Sequence, residues 1–162
     1  MLVDSHCHLD YLQRDGRDLN EVVAAAQRAG VGTLVTICTK VREFNVIRGI
    51  ADAHDEVWCT VGIHPHEAEK EPEVTTEQLV DFARHPKVVG IGETGLDYFY
   101  EHSPRDIQKR SFRAHIAASR ETGLPLIVHT RDADEDTIEI LEDEMAKGAF
   151  PGVIHCFSSS KW

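Results

Sequence analysis

Short runs of apolar and β-branched residues alternate along the chain with segments of helical periodicity. The strand-like runs are LVDSHCH from Leu2, TLVTIC from Thr33, VWCTVGIH from Val57, VVGIG from Val88, PLIVH from Pro125 and GVIHCF from Gly152. Strands that alternate with helical segments are typical of βα units, in which helices cover parallel strands. The pattern therefore predicts an α/β fold with six strands.

Helices between these strands are predicted from apolar residues three or four positions apart, which share one face of a helix. The three clearest faces are Leu19, Val22, Ala26 and Ala29, then Phe44, Ile47 and Ala51, and finally Ile138, Leu141 and Met145. Two helix starts have the spacing of a capping box, Asp18 with Glu21 and Ser103 with Asp106. Pro104 is predicted to occupy a first helical position.

The chain has 162 residues, enough for one domain with a buried core. It contains no run of about 18 apolar residues and no basic segment leading into an apolar one, so we expect a cytoplasmic protein with no membrane partner. The formal net charge of −11 argues against a module that grips duplex DNA through a basic surface. An enzyme that meets phosphate groups through bound cations is compatible with this charge.

Neither the cysteines nor the glycines of the chain predict a familiar cofactor or a disulfide framework. The four cysteines are far apart and form no CxxC pair, so we expect free thiols in buried, apolar surroundings. The first βα turn reads HCHLDYLQRDG and lacks GxGxxG, and GxxxxGK[ST] occurs nowhere. Nucleotide cofactors are therefore set aside, while an open doubly wound sheet and a barrel both remain compatible with the strand pattern.

Residue types that bind metals stand at the carboxyl ends of the predicted strands. They are His6 and His8, His64 and His66, Glu93, His129, and His155. Because parallel strands present these ends at one edge, the side chains are expected to converge there. Imidazole and carboxylate ligands suit Zn²⁺, Mn²⁺ or Fe²⁺, and the set exceeds what one catalytic zinc needs. The sequence therefore predicts a two-metal centre bridged by Glu93.

Five motifs in the chain resemble those of the TatD-like metal-dependent hydrolases. They are DSHCHLD from Asp4, GIHPH from Gly62, GIGETGLD from Gly90, HTRDA from His129 and HCFS from His155. The resemblance runs in order along the whole chain and implies a TIM (β/α)8 barrel. It also implies a metal-dependent deoxyribonuclease that cleaves phosphodiester bonds in DNA or an oligonucleotide.

The resemblance also implies a role for each site residue. His6, His8 and Glu93 would bind one divalent ion and Glu93, His129 and His155 the other, the ions being Zn, Mn or Mg, with Glu93 also catalytic. His64 and Arg131 would face the substrate, although an ion pair of Arg131 with Asp132 or Asp134 is an equal alternative. No role is predicted for the remaining histidines, several of which are expected to be solvated. Asp97 is interpreted either as ordering the loop after the fourth strand or, equally well, as a loop cap. These histidines are His54, His66, His85, His102 and His115.

A TIM barrel has eight βα units, and this chain supplies about six. We expect one TatD-like domain over residues 1–162 that is incomplete at its C-terminus, since the family's aspartate at the eighth strand has no counterpart and Ser159 replaces a usual glycine. The expected consequences are weakened metal affinity, weak nuclease activity and self-association through unclosed edges.

Two alternative functions stay open, an inactive metal-binding remnant and a barrel hydrolase of small amides, lactones or phosphate esters. Relatives of the latter kind that act on amides usually bridge their metals with a lysine where Glu93 stands.

Overall fold

The computed structural model describes residues 1–71 and 73–157, and within them it contains one sheet of six parallel strands. The strands follow chain order across the sheet and are β1 Leu2–Cys7, β2 Val31–Thr36, β3 Val57–Val61, β4 Val88–Asp97, β5 Leu126–Arg131 and β6 Gly152–Ile154. Every neighbouring pair is parallel. The predicted α/β fold is confirmed. Ser158 and Ser159, at the end of the HCFS motif, lie outside the described residues.

Helices connect the strands as the periodicity predicts. They are α1 Leu9–Arg14, α2 Leu19–Arg28, α3 Phe44–Ala53, α4 Thr76–Ala83, α5 Arg105–Thr122 and α6 Asp134–Lys147, with short 3-10 turns at Val41–Glu43 and Pro65–Glu67. None of the helices in the described residues is both long enough and apolar enough to cross a membrane.

The sheet is curled, so that its two edge strands approach each other at their carboxyl ends. His6 lies in β1 and His155 comes directly after β6, yet their rings stack with centroids 3.4 Å apart. The sheet therefore forms part of a barrel, and the carboxyl ends of its strands surround a common mouth. In such an arrangement side chains from distant parts of the sequence meet at that mouth.

The core lies between the sheet and its helices. Strands β3 and β4 are buried along almost their whole length, which is the environment that β-branched runs favour. Phe44, Ile47 and Ala51 of α3 are buried as the periodicity predicts. Phe112 and Ile116 of α5 pack in the same cluster. This core fixes the strand ends that carry the polar residues.

The buried faces of two helices differ from the prediction. In α2 the buried residues are Leu19 and Val23, whereas Ala29 is an exposed C-cap. In α6 they are Thr137, Ile140 and Glu144, and Met145 is 47% exposed. The predicted α6 face was wrong because Glu144 occupies an inward position, where Arg113 and Arg120 neutralise it. A pattern built on apolar residues alone assigns such a position to solvent.

Helix starts and cysteines give a mixed outcome. Asp18 is the N-cap of α2, as predicted, and its side chain accepts a hydrogen bond from the Asn20 N–H. Helix α5 begins at Arg105, so Pro104 is its N-cap instead of its first helical residue.

The four cysteines are free, as predicted, and Cys38 and Cys59 are buried. Cys156 is exposed, against the prediction, because it follows β6 at the edge of the sheet.

Candidate metal centre

The mouth of the curled sheet is an open pocket of about 350 Å³. Histidines and acidic residues dominate its lining, which is His6, His8, Tyr11, Thr39, His64, His66, Glu67, Glu93, His129 and His155. The structure thus brings six of the seven residues singled out in the sequence for the site to one pocket. Arg131, the seventh, is the last residue of β5, beside this pocket.

One group that could hold a metal ion consists of His6, His8 and Glu93, whose ligand atoms lie within 4.8 Å of one another. His6 Nε2 lies 3.4 Å from Glu93 Oε2. His6 Nε2 and His8 Nδ1 are buried and have no hydrogen-bond partner among the described residues. Buried polar atoms are rarely left unpaired, and a divalent cation would satisfy both nitrogens. The residues present therefore fit a metal ion.

A second group consists of His64, Glu93 and His129, again with ligand atoms within 4.8 Å of one another. Glu93 Oε1 lies 3.3 Å from His129 Nδ1 and 4.0 Å from His64 Nε2. The other oxygen of Glu93 faces His6. Glu93 is buried between the two groups. One carboxylate thus faces two sets of imidazoles, which is the arrangement expected of a bridging ligand.

His155 does not belong to the second group in this structure. Its ring stacks on that of His6, with an interplanar angle of 9°. The third nitrogen within reach of Glu93 and His129 is that of His64, which the resemblance assigned to the substrate. His155 nevertheless lines the same pocket, so the structure leaves two nitrogens close to the second group.

The electrostatics of the pocket keep Glu93 ionised. Burial acts to raise the pKa of Glu93, but its contacts with His129, His6 and His64 hold it well below its usual range. Burial lowers the pKa of His64 to about 3, and the charge of Glu93 offsets only part of this effect. Burial also opposes protonation of His129, yet contacts with Glu93 and Asp97 raise its pKa. The site therefore offers a charged carboxylate and a neutral His64 imidazole at neutral pH.

Glycines allow the backbones that carry these side chains to approach closely. A Cβ atom at Gly62 would lie 2.4 Å from the Cα of Gly92, so β3 and β4 meet at a distance that only glycine permits. Gly95 has a φ of +134°, and a Cβ there would lie 2.0 Å from the carbonyl oxygen of His129. The glycines of GIGETG therefore serve strand packing around Glu93, and their pattern has no connection with a phosphate loop.

Asp97 lies behind the second of these two groups and contacts His129. Its Oδ2 accepts hydrogen bonds from His129 Nε2 at 3.0 Å and from His66 Nε2 at 2.8 Å. Its Oδ1 accepts the Tyr100 N–H, so the predicted loop cap is present as well. A carboxylate on one imidazole nitrogen orients the ring and leaves the other nitrogen for a metal. Asp97 and His66 were underestimated from the sequence, although both lie within the quoted motifs.

His115 is a second residue that sequence reasoning missed. It lies in α5 and is buried, with Nε2 accepting the Ile63 N–H at 3.0 Å. Its Nδ1 donates to the carbonyl oxygen of Ser111 at 2.7 Å. The hydrogen bond to Ile63 holds the segment that leads into His64. The charged residues around His115 in the sequence favoured a solvated side chain, and no local signal pointed to this contact.

Comparison with known proteins agrees with this geometry. The family model described as TatD related DNase matches residues 3–162. The chain is 39% identical over 160 residues to YabD, an uncharacterized metal-dependent hydrolase of Bacillus subtilis, covering 99% of this chain and 62% of that protein. It is 36% identical over 146 residues to the 3'-5' ssDNA/RNA exonuclease TatD of Shigella flexneri, covering 90% of this chain and 55% of the relative.

Solved structures show the same likeness. The crystal structure of YJJV, a TatD homolog from Escherichia coli K12, superposes with a TM-score of 0.85 at 29% identity, over 98% of this chain and 61% of that one. A hydrolase TatD family protein from Entamoeba histolytica has the same fold, with a TM-score of 0.82 at 24% identity, over 98% and 59% of the two chains. The predicted barrel type of the fold is confirmed by these likenesses. The chain spans 62% and 55% of the lengths of the two curated relatives named above.

Proposed function

This chain belongs to the TatD-related DNase family, and from that premise we propose that its pocket is the two-metal centre of a nucleic-acid phosphodiesterase. The observation that carries the proposal is the position of Glu93. Its two carboxylate oxygens face two separate groups of imidazoles, with His6 on one side and His129 and His64 on the other.

Two divalent ions would share this site. His6, His8 and Glu93 would hold the first ion. Glu93 and His129 would hold the second, with a third nitrogen from His64, as the geometry favours, or from His155, as the family resemblance implies. When bound, such ions supply positive charge to phosphoryl oxygens and Lewis acidity at phosphorus.

The residues of the chain itself prepare the site for those ions. Asp97 accepts the Nε2–H of His129, which turns its Nδ1 toward Glu93 and the pocket. His64 is uncharged at neutral pH because burial lowers its pKa to about 3, and its Nδ1 accepts the His66 N–H, which orients the ring with Nε2 toward Glu93. The glycines around Glu93 keep its carboxylate between the two groups of imidazoles.

The proposed substrate is a strand of DNA or RNA. One relative is named as a 3'-5' ssDNA/RNA exonuclease, and phosphodiester hydrolysis is the chemistry that paired divalent ions favour. The formal net charge of −11 makes broad electrostatic gripping of a duplex unfavourable. Binding at the mouth therefore depends on the ions and on local contacts such as Arg131, whose planar guanidinium suits a phosphate oxygen.

The proposal is tested with single-stranded DNA incubated with Mg²⁺, Mn²⁺ or Zn²⁺, while the metal content of the chain is measured in parallel. We expect up to two weakly held ions per chain in the wild type and slow, chelator-sensitive hydrolysis. Glu93→Gln should lower both the metal content and the rate, the latter at least about 100-fold. Glu142→Gln, at an exposed position of α6, is the matched control.

Two results would contradict the proposal. One is equal hydrolysis by wild type and Glu93→Gln, and the other is a wild-type chain that binds none of the three ions. His64→Ala and His155→Ala, compared in the same metal titration, show which imidazole supplies the third nitrogen of the second group.

A further inference from the structure

Two large aromatic side chains are exposed beside the metal centre. Phe99 is 54% exposed and Tyr100 is 49% exposed, although they stand only two and three residues after the buried end of β4 at Asp97. The neighbouring Tyr98 turns back toward the protein and donates its hydroxyl to Asp136 at 2.6 Å. The chain thus directs two successive rings outward at a point where its other aromatic residue packs inward.

These exposed rings are held in place. The rings of Phe99 and Tyr100 meet edge to face, with centroids 4.7 Å apart. The guanidinium carbon of Arg131 lies 4.0 Å from the centroid of Phe99 and 4.7 Å from that of Tyr100. The Tyr100 N–H is bound to Asp97, and His102 stacks parallel to the Tyr100 ring at 5.4 Å. Phe99 is the more exposed of the two rings, and Arg131 and Tyr100 support it.

The rings connect directly to the metal centre. Tyr100 packs edge to face against His66, with centroids 5.3 Å apart, and His66 lies 6.2 Å from His129. Asp97 joins the same residues, since it binds His66, His129 and the backbone of Tyr100. A flat group stacked on Phe99 would thus lie near a phosphate held at the second group of ligands.

We propose that Phe99, Tyr100 and Arg131 form a base platform, in which the ring of Phe99, held by its two neighbours, stacks one unpaired nucleobase of the nucleotide adjoining the reacting phosphate. The inference rests on the proposed function, which places that phosphate. Aromatic rings combined with arginine are how single-strand binding proteins hold successive bases. A base within a duplex has both faces covered by its neighbours, so the platform selects single strands or unpaired ends.

The overall charge of the chain supports a stacking contribution. With a net charge of −11, the protein has little non-specific attraction for a polyanion. Stacking of a base on an aromatic ring is largely independent of charge and of base identity. The base platform would therefore supply affinity for any sequence, while the metal centre supplies contact with phosphate.

The test measures binding without catalysis. A short fluorescein-labelled oligothymidylate is titrated with the chain in EDTA, and fluorescence anisotropy reports binding. The titration is repeated with strands that lack one base at a single position, moved along the strand. The variants are Phe99→Ala/Tyr100→Ala, Phe99→Trp, which keeps a stacking surface, and Val46→Ala, a similarly exposed apolar control on α3.

We expect removal of the base at one position to weaken wild-type binding about 5- to 100-fold. The double variant should bind the intact strand more weakly by a similar factor and be indifferent to the missing base. Phe99→Trp and Val46→Ala should behave as wild type. Equal binding of the intact strand by wild type and double variant would overturn the inference. An equal loss of affinity in the wild type and the double variant on base removal would also overturn it. So would a double variant that loses self-association of the protein but keeps its affinity for the strand.

The proposed function and the base platform can fail separately. Base-dependent binding in EDTA together with no hydrolysis under any metal would remove the phosphodiesterase proposal and leave the platform. Metal-dependent hydrolysis together with base-independent binding would do the reverse. A blunt duplex of the same length serves as a further arm, and its affinity should be the same for wild type and the double variant.

Discussion

Single hydrogen bonds decide the geometry of this site. His129 has Asp97 on one ring nitrogen and Glu93 on the other, so its orientation is set from both sides. His115 acts at a greater distance from the pocket, through the backbone of Ile63, which precedes His64. The neutral form of His115 alone can accept that N–H while donating to Ser111, since the imidazolium has no acceptor.

Acid should destabilise the protein through His115. Burial lowers the pKa of His115 to about 4 in the folded protein, whereas the same side chain has a pKa of 6.5 in the unfolded chain. As the pH falls, the unfolded chain therefore binds a proton before the folded protein does. Stability is therefore retained above the unfolded pKa and lost as the pH falls between these values, by about 3 kcal/mol for this residue. Urea unfolding at several pH values measures the slope.

The matched variant for this prediction is His115→Gln, which keeps a donor and an acceptor but does not titrate. Its free energy of unfolding should depend less steeply on pH than that of the wild type between about pH 6.5 and pH 4. Identical slopes in the two proteins would mean that other buried groups carry the acid sensitivity.

The contact between α5 and α6 is the clearest example of polar packing between elements. Glu144 points inward from α6 and receives hydrogen bonds from Arg113, Arg120 and Lys147. Burial acts to raise the pKa of Glu144, but these cations lower it to about 2. Arg120 also donates to the carbonyl oxygens of Glu144 and Gly148, so it holds the end of α6 as well.

Replacement of this carboxylate should loosen α6. We expect Glu144→Ala to lower the free energy of unfolding by about 2 kcal/mol or more, because the arginines would lose their counter-charge in a partly buried position. Glu142→Ala, on the exposed face of the same helix, should change it by less than about 0.5 kcal/mol. Urea denaturation of both variants measures the difference. Equal effects would contradict the role of Glu144 in holding α6 to α5.

At the scale of the whole molecule, the two edge strands of the described sheet expose apolar side chains. β1 and β6 each have one neighbour in the described sheet, and both present apolar side chains to solvent. Val3 is 59% exposed and Val153 is 55% exposed. Unpaired strand edges with apolar side chains pair readily with other chains. Self-association through these edges, predicted from the sequence, stays a prediction that this geometry makes testable.

We expect the sedimentation of this chain to depend on its concentration. Val3→Lys and Val153→Lys should shift the population toward monomer, because a charge on an edge strand opposes pairing. Val46→Lys, at a similarly exposed position on α3, is the control and should leave the equilibrium unchanged. Sedimentation that is independent of concentration in the wild type would contradict the prediction.

Much of the architecture was accessible from local patterns. Each of the six β-branched runs became a strand, and the histidines and Glu93 that ended them reached one pocket. Both results follow from short-range rules, since strands form from contiguous runs and parallel strands end at one edge. The family motifs added the likeness to barrel hydrolases.

The tertiary structure decided what depends on partners distant in the sequence. His155 stacks on His6 because the sheet curls, and no local pattern encodes the curvature. Glu144 is inside and Met145 outside because arginines of another helix neutralise a carboxylate. Residue type and spacing thus determined which elements form and where their reactive ends lie. Which atoms face each other is a property of packing, in which each contact depends on all the others.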